Sequence, residues 1–307
     1  MPEPVTTPPV PLSKGKIFFR RLSSFIFLWV VILGVLFSSN KNLADYGFLC
    51  IMVLLTGAGL VEFYGMVQKL GHKCYGKWGV FAGILLLVGT FLNVSGHMGL
   101  ATRPSRANDF ESCFLILFVL GLCLRQFVSK TNVTGIISIA TTLFGLMYVA
   151  WLMNFIQKIN FFNQDGVEGR YYVLYFILVT KFSDCGAYMV GSLIGKHKMI
   201  PRISPGKTWE GFVGAIFVSA GASVAFAHLA GDKLYGMTTL HAIILGVILS
   251  MTAVVGDLIE SLFKREAGVK DSGAFFPGIG GILDLLDSLL FNAPIMYLYL
   301  RHILTNQ

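Results

Sequence analysis

Residues 134–156 read TGIISIATTLFGLMYVAWLMNFI, a run that contains no charged side chain. About 20 consecutive apolar residues, wound as a helix, are enough to cross the hydrocarbon core of a bilayer. Lipid offers no hydrogen bonds, so the backbone groups of a spanning segment must be satisfied within the helix. The stretch therefore predicts a transmembrane helix.

Further apolar runs of similar length lie on both sides of this one. The predicted spans cover residues 22–39, 46–67, 78–96, 110–128, 134–156, 171–194, 210–230, 237–262 and 282–304. They predict an all-α fold, a polytopic membrane protein with about nine transmembrane helices. We expect residues 1–21 to form an N-terminal tail and residues 22–304 to form a single membrane-embedded domain.

The overall composition agrees with this class. Of the 307 residues, 55% are hydrophobic and 13% are charged, and the charged share is about half that of an average soluble protein. Soluble, disordered and collagen-like chains are thereby excluded. The five cysteines are scattered and include no C-x-x-C pair, so the sequence predicts neither a cysteine metal cluster nor a disulfide framework.

The net charge of +8 lies mostly in short loops between the apolar runs. If the N-terminus is cytoplasmic, the cytoplasmic segments contain 16 Lys and Arg residues and the opposite segments contain seven. This asymmetry follows the positive-inside rule and predicts a cytoplasmic N-terminus. The basic residues therefore indicate the lipid bilayer as a partner, and no nucleic acid is expected.

Two pairs of acidic residues stand near the ends of the last two predicted spans. Asp257 and Glu260 are three residues apart, as are Asp284 and Asp287, and this spacing places each pair on one helix face. Carboxylates that converge from neighbouring helices repel one another unless a cation lies between them, and Mg²⁺ is a hard cation that suits such a site. The alternative is acids solvated at the membrane interface, which would account for Glu260 and Asp287.

Two basic loops accompany these acids. Residues 264–273 read KREAGVKDSG, and a glycine-rich segment follows at 276–281. Residues 195–211 read GKHKMIPRISPGKTWEG, in which cations alternate with hydroxyl groups and prolines. Cations beside exposed backbone N–H groups suit the binding of phosphate. The alternative is a role in membrane topology alone. Walker, dinucleotide-binding and zinc-protease motifs do not occur in the sequence.

Residues 261–287, SLFKREAGVKDSGAFFPGIGGILDLLD, resemble the C-terminal signature of phosphatidate cytidylyltransferases (CDP-diacylglycerol synthases). Residues 183–188, SDCGAY, and 204–211, SPGKTWEG, are similar to two further blocks of that family, and residues 62–64, EFY, are similar more weakly. The resemblance covers the membrane region and is most specific over residues 180–291.

The resemblance implies an all-helical membrane nucleotidyltransferase of phospholipid biosynthesis. Such an enzyme transfers CMP from CTP to phosphatidate and releases pyrophosphate, with its site open to the cytoplasm of a bacterial cell. It further implies a catalytic part at about residues 171–291, dependence on Mg²⁺, and a metal centre held by Asp257 and Asp284 with Asp287 nearby. A second, monovalent cation and a homodimer are both left open.

In such a reaction the lipid phosphate is already an anionic nucleophile, so catalysis reduces to positioning and charge neutralisation. We expect Asp257, Asp284, Lys207 and Lys264 to be the catalytic residues. Phosphates would be bound by the cations of the two loops, Arg202, Lys207, Lys264, Arg265 and Lys270. Ser204 and Thr208 would donate hydrogen bonds, and Asp184 would either organise the nucleotide-binding loop or join the metal site.

The signature departs from the family pattern at two positions. Family members usually have His at the place of Ile279 and Arg at the place of Leu285, which raises the alternative of an inactive relative. Two other functions also remain as alternatives. A CTP-dependent polyprenol or phytol kinase would share the nucleotide site, and a transporter would explain acids within spans by binding its substrate near the membrane midplane.

Overall fold

The computed structural model describes residues 14–97, 104–129, 134–162, 166–273 and 280–305. The α-helices are α1 (Lys14–Leu36), α2 (Lys41–Lys69), α3 (Gly76–Val94), α4 (Pro104–Phe127), α5 (Gly135–Gly145), α6 (Leu152–Asn160), α7 (Gly169–Ile194), α8 (Trp209–Ala230), α9 (Thr239–Glu266) and α10 (Ile282–Tyr299). Short π-helices continue α5 at Leu146–Trp151 and α10 at Leu300–Leu304, and a single 3-10 turn follows α8 at Gly231–Lys233.

Within these described residues, eight helical segments are long and apolar enough to cross a membrane. A shorter apolar stretch, Ile26–Leu36, belongs to α1, which is 23 residues long. Because α5, its π-helix and α6 form one continuous segment over Gly135–Asn160, the eight segments together with α1 correspond one for one to the nine predicted spans. The predicted all-α polytopic fold is confirmed. The first helix begins at Lys14, earlier than the predicted start of its span at residue 22.

The C-terminal half of the chain forms the compact part that carries the predicted site residues. Helix α7 packs against α8 and α9, α9 packs against α10, and α10 also contacts α2 and α6. The approach of α7 to α8 is close because Gly186 lacks a side chain. A Cβ atom there would lie 2.7 Å from the Val218 Cβ and 3.0 Å from the Gly214 carbonyl oxygen.

A small antiparallel hairpin connects α7 to α8, which the all-α prediction did not include. Strand β1 (Lys198–Ile200) pairs with β2 (Ser204–Thr208), with Lys198 opposite Thr208. Pro201 and Pro205 disfavour a helix in this loop, because the residue before a proline is driven towards extended conformations. The hairpin leads directly into α8, where the Thr208 side chain caps the helix by accepting from the Gly211 N–H at 3.1 Å.

Candidate active site

A polar cavity of about 570 Å³ lies between α7, the hairpin, α8, α9 and α10. Eight of the predicted site residues line it, namely Asp184, Ser204, Lys207, Thr208, Asp257, Lys264, Asp284 and Asp287. These residues come from four separate segments of the chain, and the packing of α7–α10 brings them together. Ionisable groups enclosed by membrane-length helices carry a large desolvation cost, which favours a functional role for the cavity.

Lys207 enters the cavity from strand β2 and reaches α9. Its Nζ atom lies 2.8 Å from the Asp257 Oδ2 atom and donates a hydrogen bond to the Val254 carbonyl oxygen at 3.1 Å. The extended hairpin holds the lysine across the cavity, which a continuous helix from α7 into α8 would not do. The contact joins a predicted phosphate-binding cation to a predicted metal ligand.

Lys264 joins α9 to α10 in a similar way. Its Nζ atom lies 2.6 Å from the Asp284 Oδ1 atom and also forms an ion pair with Glu260, one helical turn earlier on α9. The lysine side chain is 14% exposed, so one ammonium group is shared between two carboxylates in a poorly hydrated place. Lys264 is therefore the principal source of positive charge at this end of the cavity.

Asp284 also closes the N-terminus of α10. Its Oδ2 atom accepts hydrogen bonds from the Gly281 N–H at 2.8 Å and from both the N–H and the hydroxyl of Ser272 at 3.1 Å. The first turn of a helix has unsatisfied N–H groups, and a carboxylate there satisfies them and complements the helix dipole. Both carboxylate oxygens of Asp284 thus have protein partners.

Three other carboxylates converge in the cavity, although Lys207, Lys264 and Ser288 each contact one of them. Asp257, Glu260 and Asp287 each place one carboxylate oxygen within 4.8 Å of the others. Glu260 is fully buried and Asp287 is 8% exposed, so the alternative of acids solvated at the interface is wrong for both. The sequence predicted a centre of Asp257, Asp284 and Asp287, whereas the structure groups Glu260 with Asp257 and Asp287.

This oxygen-only set fits a hard divalent cation. Within the described residues, Lys264 is the ion-pair partner of Glu260, and neither Glu260 oxygen has a hydrogen-bond donor in suitable geometry. Buried carboxylates at this separation repel one another strongly, and a cation between them would remove that cost.

Asp184 lines the cavity from α7. Its Oδ2 atom lies 3.3 Å from the Lys181 Nζ atom and accepts a hydrogen bond from the Ser288 hydroxyl at 3.4 Å. Ser288 also donates to the Asp287 Oδ1 atom at 2.9 Å. Asp184 is therefore connected to the acidic group through Ser288 and stands outside the three converging carboxylates.

The remaining predicted cations do not line the cavity. Arg202, Arg265 and Lys270 are exposed, and the Arg265 Nε–H donates to the Ile203 carbonyl oxygen at 3.2 Å. That bond ties the end of α9 to the hairpin turn. Ile279, one of the two departures from the signature, lies outside the described residues, and Leu285 is half-buried on α10.

Comparison with known proteins shows the family to which the chain belongs. The sequence model of a family described as "Cytidylyltransferase family" matches residues 19–303. The chain belongs to the cytidylyltransferase family. The match covers the membrane region and confirms the resemblance inferred from residues 261–287.

Individual cytidylyltransferase relatives are similar over different lengths. A phosphatidate cytidylyltransferase of Haemophilus influenzae is 32% identical over 269 residues, 80% of this chain and 91% of that protein. One of Staphylococcus haemolyticus is 31% identical over 247 residues, 72% of this chain and 94% of that protein. One of Staphylococcus aureus (strain COL) is 43% identical over 140 residues, 46% of this chain, and the match spans 53% of that relative.

The sequence did not predict a function for three residues at or beside the site of this family member. Glu62 binds the N-terminus of α10, Ser288 connects two acids, and Lys181 faces the cavity. The sequence does indicate a role for Lys181, because a charged side chain inside a transmembrane span is energetically costly and points to a functional site. Glu62 also lies within a span, but its partner is 220 residues away, and no spacing rule connects the two.

Proposed function

We propose that this family member transfers CMP from CTP to phosphatidate, which yields CDP-diacylglycerol and pyrophosphate. The observation that carries the proposal is the polar cavity among membrane-length helices, in which Lys207 and Lys264 face a cluster of acids. Membership of the cytidylyltransferase family and relatives named phosphatidate cytidylyltransferase support the same activity.

In this reaction an oxygen of the phosphatidate phosphate forms a bond to the α-phosphorus of CTP. The bond from that phosphorus to the oxygen bridging the α- and β-phosphates breaks, and pyrophosphate leaves with the electron pair. The attacking oxygen is already anionic, so the protein needs no strong base. The task of the site is to bring polyanions together and to neutralise the charge that builds on the leaving group.

Lys207 and Lys264 are placed to do this. Each now neutralises a carboxylate across the cavity, and each has an ammonium group with further donors for phosphate oxygens. Ser204 lies on the same wall and would add a hydroxyl donor. Thr208 lines the cavity too, but its hydroxyl oxygen caps α8, so we assign it the positioning of the hairpin and of Lys207.

We further propose that Asp257, Glu260 and Asp287 hold the Mg²⁺ ion. A bound Mg²⁺ would neutralise charge on the nucleotide phosphates and on the departing pyrophosphate. Asp284 stands outside the group of three converging oxygens and would act through Lys264 and the start of α10, where it accepts from Lys264, Gly281 and Ser272. This assignment replaces Asp284 by Glu260 among the ligands predicted from sequence.

The proposed location is the cytoplasmic membrane of a bacterial cell, with the N-terminus and the hairpin on the cytoplasmic side. The excess of Lys and Arg in the loops of that side supports this orientation. The cavity is bounded by the hairpin and therefore opens to the side on which CTP would be present.

Isotope placement in the nucleotide distinguishes the candidate functions. We expect purified protein with Mg²⁺ and phosphatidate to transfer label from α-phosphate-labelled CTP into lipid, and to release label from γ-phosphate-labelled CTP as pyrophosphate. When a polyprenol or phytol is supplied in place of phosphatidate, a kinase would instead transfer the γ-label to that alcohol. A folded protein that transfers neither label would favour the transporter or the inactive relative.

A further inference from the structure

A buried tyrosine lies behind the acids of the polar cavity. Tyr148 belongs to the π-helix that continues α5, and its side chain is 5% exposed. π-Helical turns are rare and occur frequently at functional sites. Among the described residues, the Tyr148 hydroxyl has no hydrogen-bond partner, although it is inaccessible. Buried polar groups are almost always hydrogen-bonded, so an unpaired one points to a catalytic role or to an ion nearby.

Four aromatic rings hold the Tyr148 ring in place. Their centroids lie between 5.4 Å and 6.3 Å from that of Tyr148, and they belong to Phe63, Phe144, Phe263 and Phe291. Aromatic pairs at such distances attract one another beyond the effect of burial alone. Because these rings come from α2, α5, α9 and α10, the tyrosine is packed on several sides and its hydroxyl has a fixed position.

Two of the four rings place the hydroxyl beside the acids. Phe263 follows Glu260 by three residues on α9, and Phe291 follows Asp287 by four residues on α10. Residues at these spacings are neighbours on one helix face. Tyr148 therefore packs against the faces that carry both acids. Its hydroxyl interacts electrostatically with Glu260 and, more weakly, with Asp287.

Glu260 is the acid of this group that lacks hydrogen-bond donors. It is fully buried, and neither Glu260 nor Tyr148 lines the polar cavity. Among the described residues, no donor meets either Glu260 oxygen in suitable geometry, and its ion-pair partner Lys264 is shared with Asp284. A carboxylate can only accept hydrogen bonds, and a tyrosine hydroxyl can donate one. Because the glutamate side chain is flexible and the tyrosine ring is held, a rotation of Glu260 would join the two.

We propose that Tyr148 is a positioning residue of the metal centre, whose hydroxyl donates a hydrogen bond to Glu260 when that carboxylate binds Mg²⁺. The proposal rests on the proposed function for the identity of the ion and for the role of Glu260. Carboxylates that bind a metal are themselves hydrogen-bonded, and Ser288 already donates to Asp287 at 2.9 Å. Tyr148 would do the same for Glu260, and Lys264 would be left to Asp284 and to substrate phosphates.

Removing the hydroxyl alone tests the proposal. Tyr148→Phe keeps the ring, and the purified full chain in detergent is titrated with Mg²⁺ while the midpoint of thermal unfolding is followed. We expect the variant to need at least about tenfold more Mg²⁺ than the wild type for half of the increase in midpoint, because loss of an outer hydrogen bond weakens metal binding by about 10–100-fold. In chelator its midpoint should be no lower than that of the wild type, since the hydroxyl has no partner among the described residues.

Tyr64→Phe is the matched control. Tyr64 belongs to the same aromatic cluster, with its ring centroid 5.7 Å from that of Phe63, but its hydroxyl donates to the Thr142 carbonyl oxygen at 2.8 Å. Loss of that bond should lower the unfolding midpoint at every Mg²⁺ concentration. The half-maximal Mg²⁺ concentration should stay within about twofold of the wild type. An unchanged half-maximal concentration in Tyr148→Phe, or an equal rise in Tyr64→Phe, would overturn the proposal.

A binding measurement gives a readout that does not depend on unfolding. Mn²⁺ prefers the same oxygen ligands as Mg²⁺, and electron paramagnetic resonance measures how much of it is bound. We expect Tyr148→Phe to bind Mn²⁺ about tenfold more weakly than the wild type. A wild type that responds to neither ion would overturn both the role of Tyr148 and the metal centre.

CMP transfer, measured in parallel, separates this proposal from the proposed function. Transfer by Tyr148→Phe should need more Mg²⁺ and should recover at saturating Mg²⁺. Weaker metal binding in Tyr148→Phe, together with a wild type that does not transfer CMP, would overturn the activity and support the role of Tyr148. CMP transfer by the wild type, with equal metal binding in both proteins, would overturn the role of Tyr148 and keep the activity.

Discussion

The carboxylate of Glu62 on α2 accepts hydrogen bonds from the backbone N–H groups of Ile282 and Leu283, at 2.9 Å each. It also accepts from the Ser272 hydroxyl at 3.0 Å. Glu62 thus satisfies donors of the first turn of α10 that the helix cannot satisfy itself. Because α10 carries Asp284 and Asp287, this contact from a distant helix sets the position of both acids.

The first prediction concerns Glu62 as a positioning residue. Glu62→Gln removes the charge and leaves one acceptor oxygen for three donors. We expect a lower midpoint of thermal unfolding, because hydrogen bonds to a charged group contribute about 1.5–3 kcal/mol. The kcat should fall about tenfold as α10 shifts, while the KM for CTP changes little.

Glu266→Gln is the matched control, since Glu266 is exposed at the end of α9. It should leave both kcat and the unfolding midpoint unchanged. A Glu62→Gln protein that loses stability but keeps its full kcat would show that the contact is structural only.

The second prediction separates Glu260 from Asp284. If Glu260 is a ligand, Mg²⁺ should raise the unfolding midpoint of the wild type, by about 2.7 kcal/mol of stability at a concentration one hundred times Kd. Glu260→Gln should abolish this increase. In chelator, the same variant should be as stable as the wild type or more so, since it removes one of three repelling carboxylates.

Asp284→Asn should behave in the opposite way. It weakens the cap of α10 and the ion pair with Lys264, so we expect lower stability at every Mg²⁺ concentration and a retained response to Mg²⁺. A lost Mg²⁺ response in Asp284→Asn, with a normal response in Glu260→Gln, would return Asp284 to the metal centre.

The third prediction ranks the cations of the two loops. Lys207→Gln and Lys264→Gln should each lower kcat/KM for CTP by at least about two orders of magnitude, as expected for charged groups that contact the transferred phosphates. The comparison set replaces three exposed residues, in Arg202→Gln, Lys270→Gln and Lys196→Gln. Each of these variants should change kcat/KM for CTP by less than about threefold, and the change should become smaller at high salt. Similar losses in all five proteins would restore the phosphate-binding role predicted from sequence for Arg202 and Lys270.

The fourth prediction concerns a buried ion pair outside the site. The Lys158 Nζ atom lies 2.7 Å from the Glu111 Oε2 atom, and both side chains are nearly inaccessible. Asn154 and Trp151 also donate to the Glu111 carboxylate, at 2.7 Å and 3.1 Å. Lys158→Met should destabilise the protein by about 3–5 kcal/mol, because it leaves a buried carboxylate without its cation.

The double variant Glu111→Gln, Lys158→Met should recover much of that stability. Thermal unfolding in detergent measures the stability of the single and the double variant. CMP transfer by the protein that remains folded should be unchanged in each variant. An additive loss in the double variant would mean that Glu111 is stabilised by Asn154 and Trp151 alone.

The sequence alone determined the fold class and the neighbourhood of the site. Runs such as residues 134–156 must become helices wherever lipid surrounds them, because no other partner satisfies their backbone groups. The three-residue spacing of Asp257 and Glu260, and of Asp284 and Asp287, places each pair on one helix face whatever the tertiary structure. Local rules of this kind depend on residues within one or two helical turns.

Tertiary structure decided which of those acids converge. Helical spacing leaves the rotation of α9 against α10 open, so it does not say which acids of one helix meet those of the other. The start of α10 is held by the contact of Glu62 with Ile282, which joins residues 220 positions apart. Lys181 is a similar case, because the sequence shows a lysine within a span but not its partner. The cavity in which it meets Asp184 exists only once α7, α8, α9 and α10 are packed together.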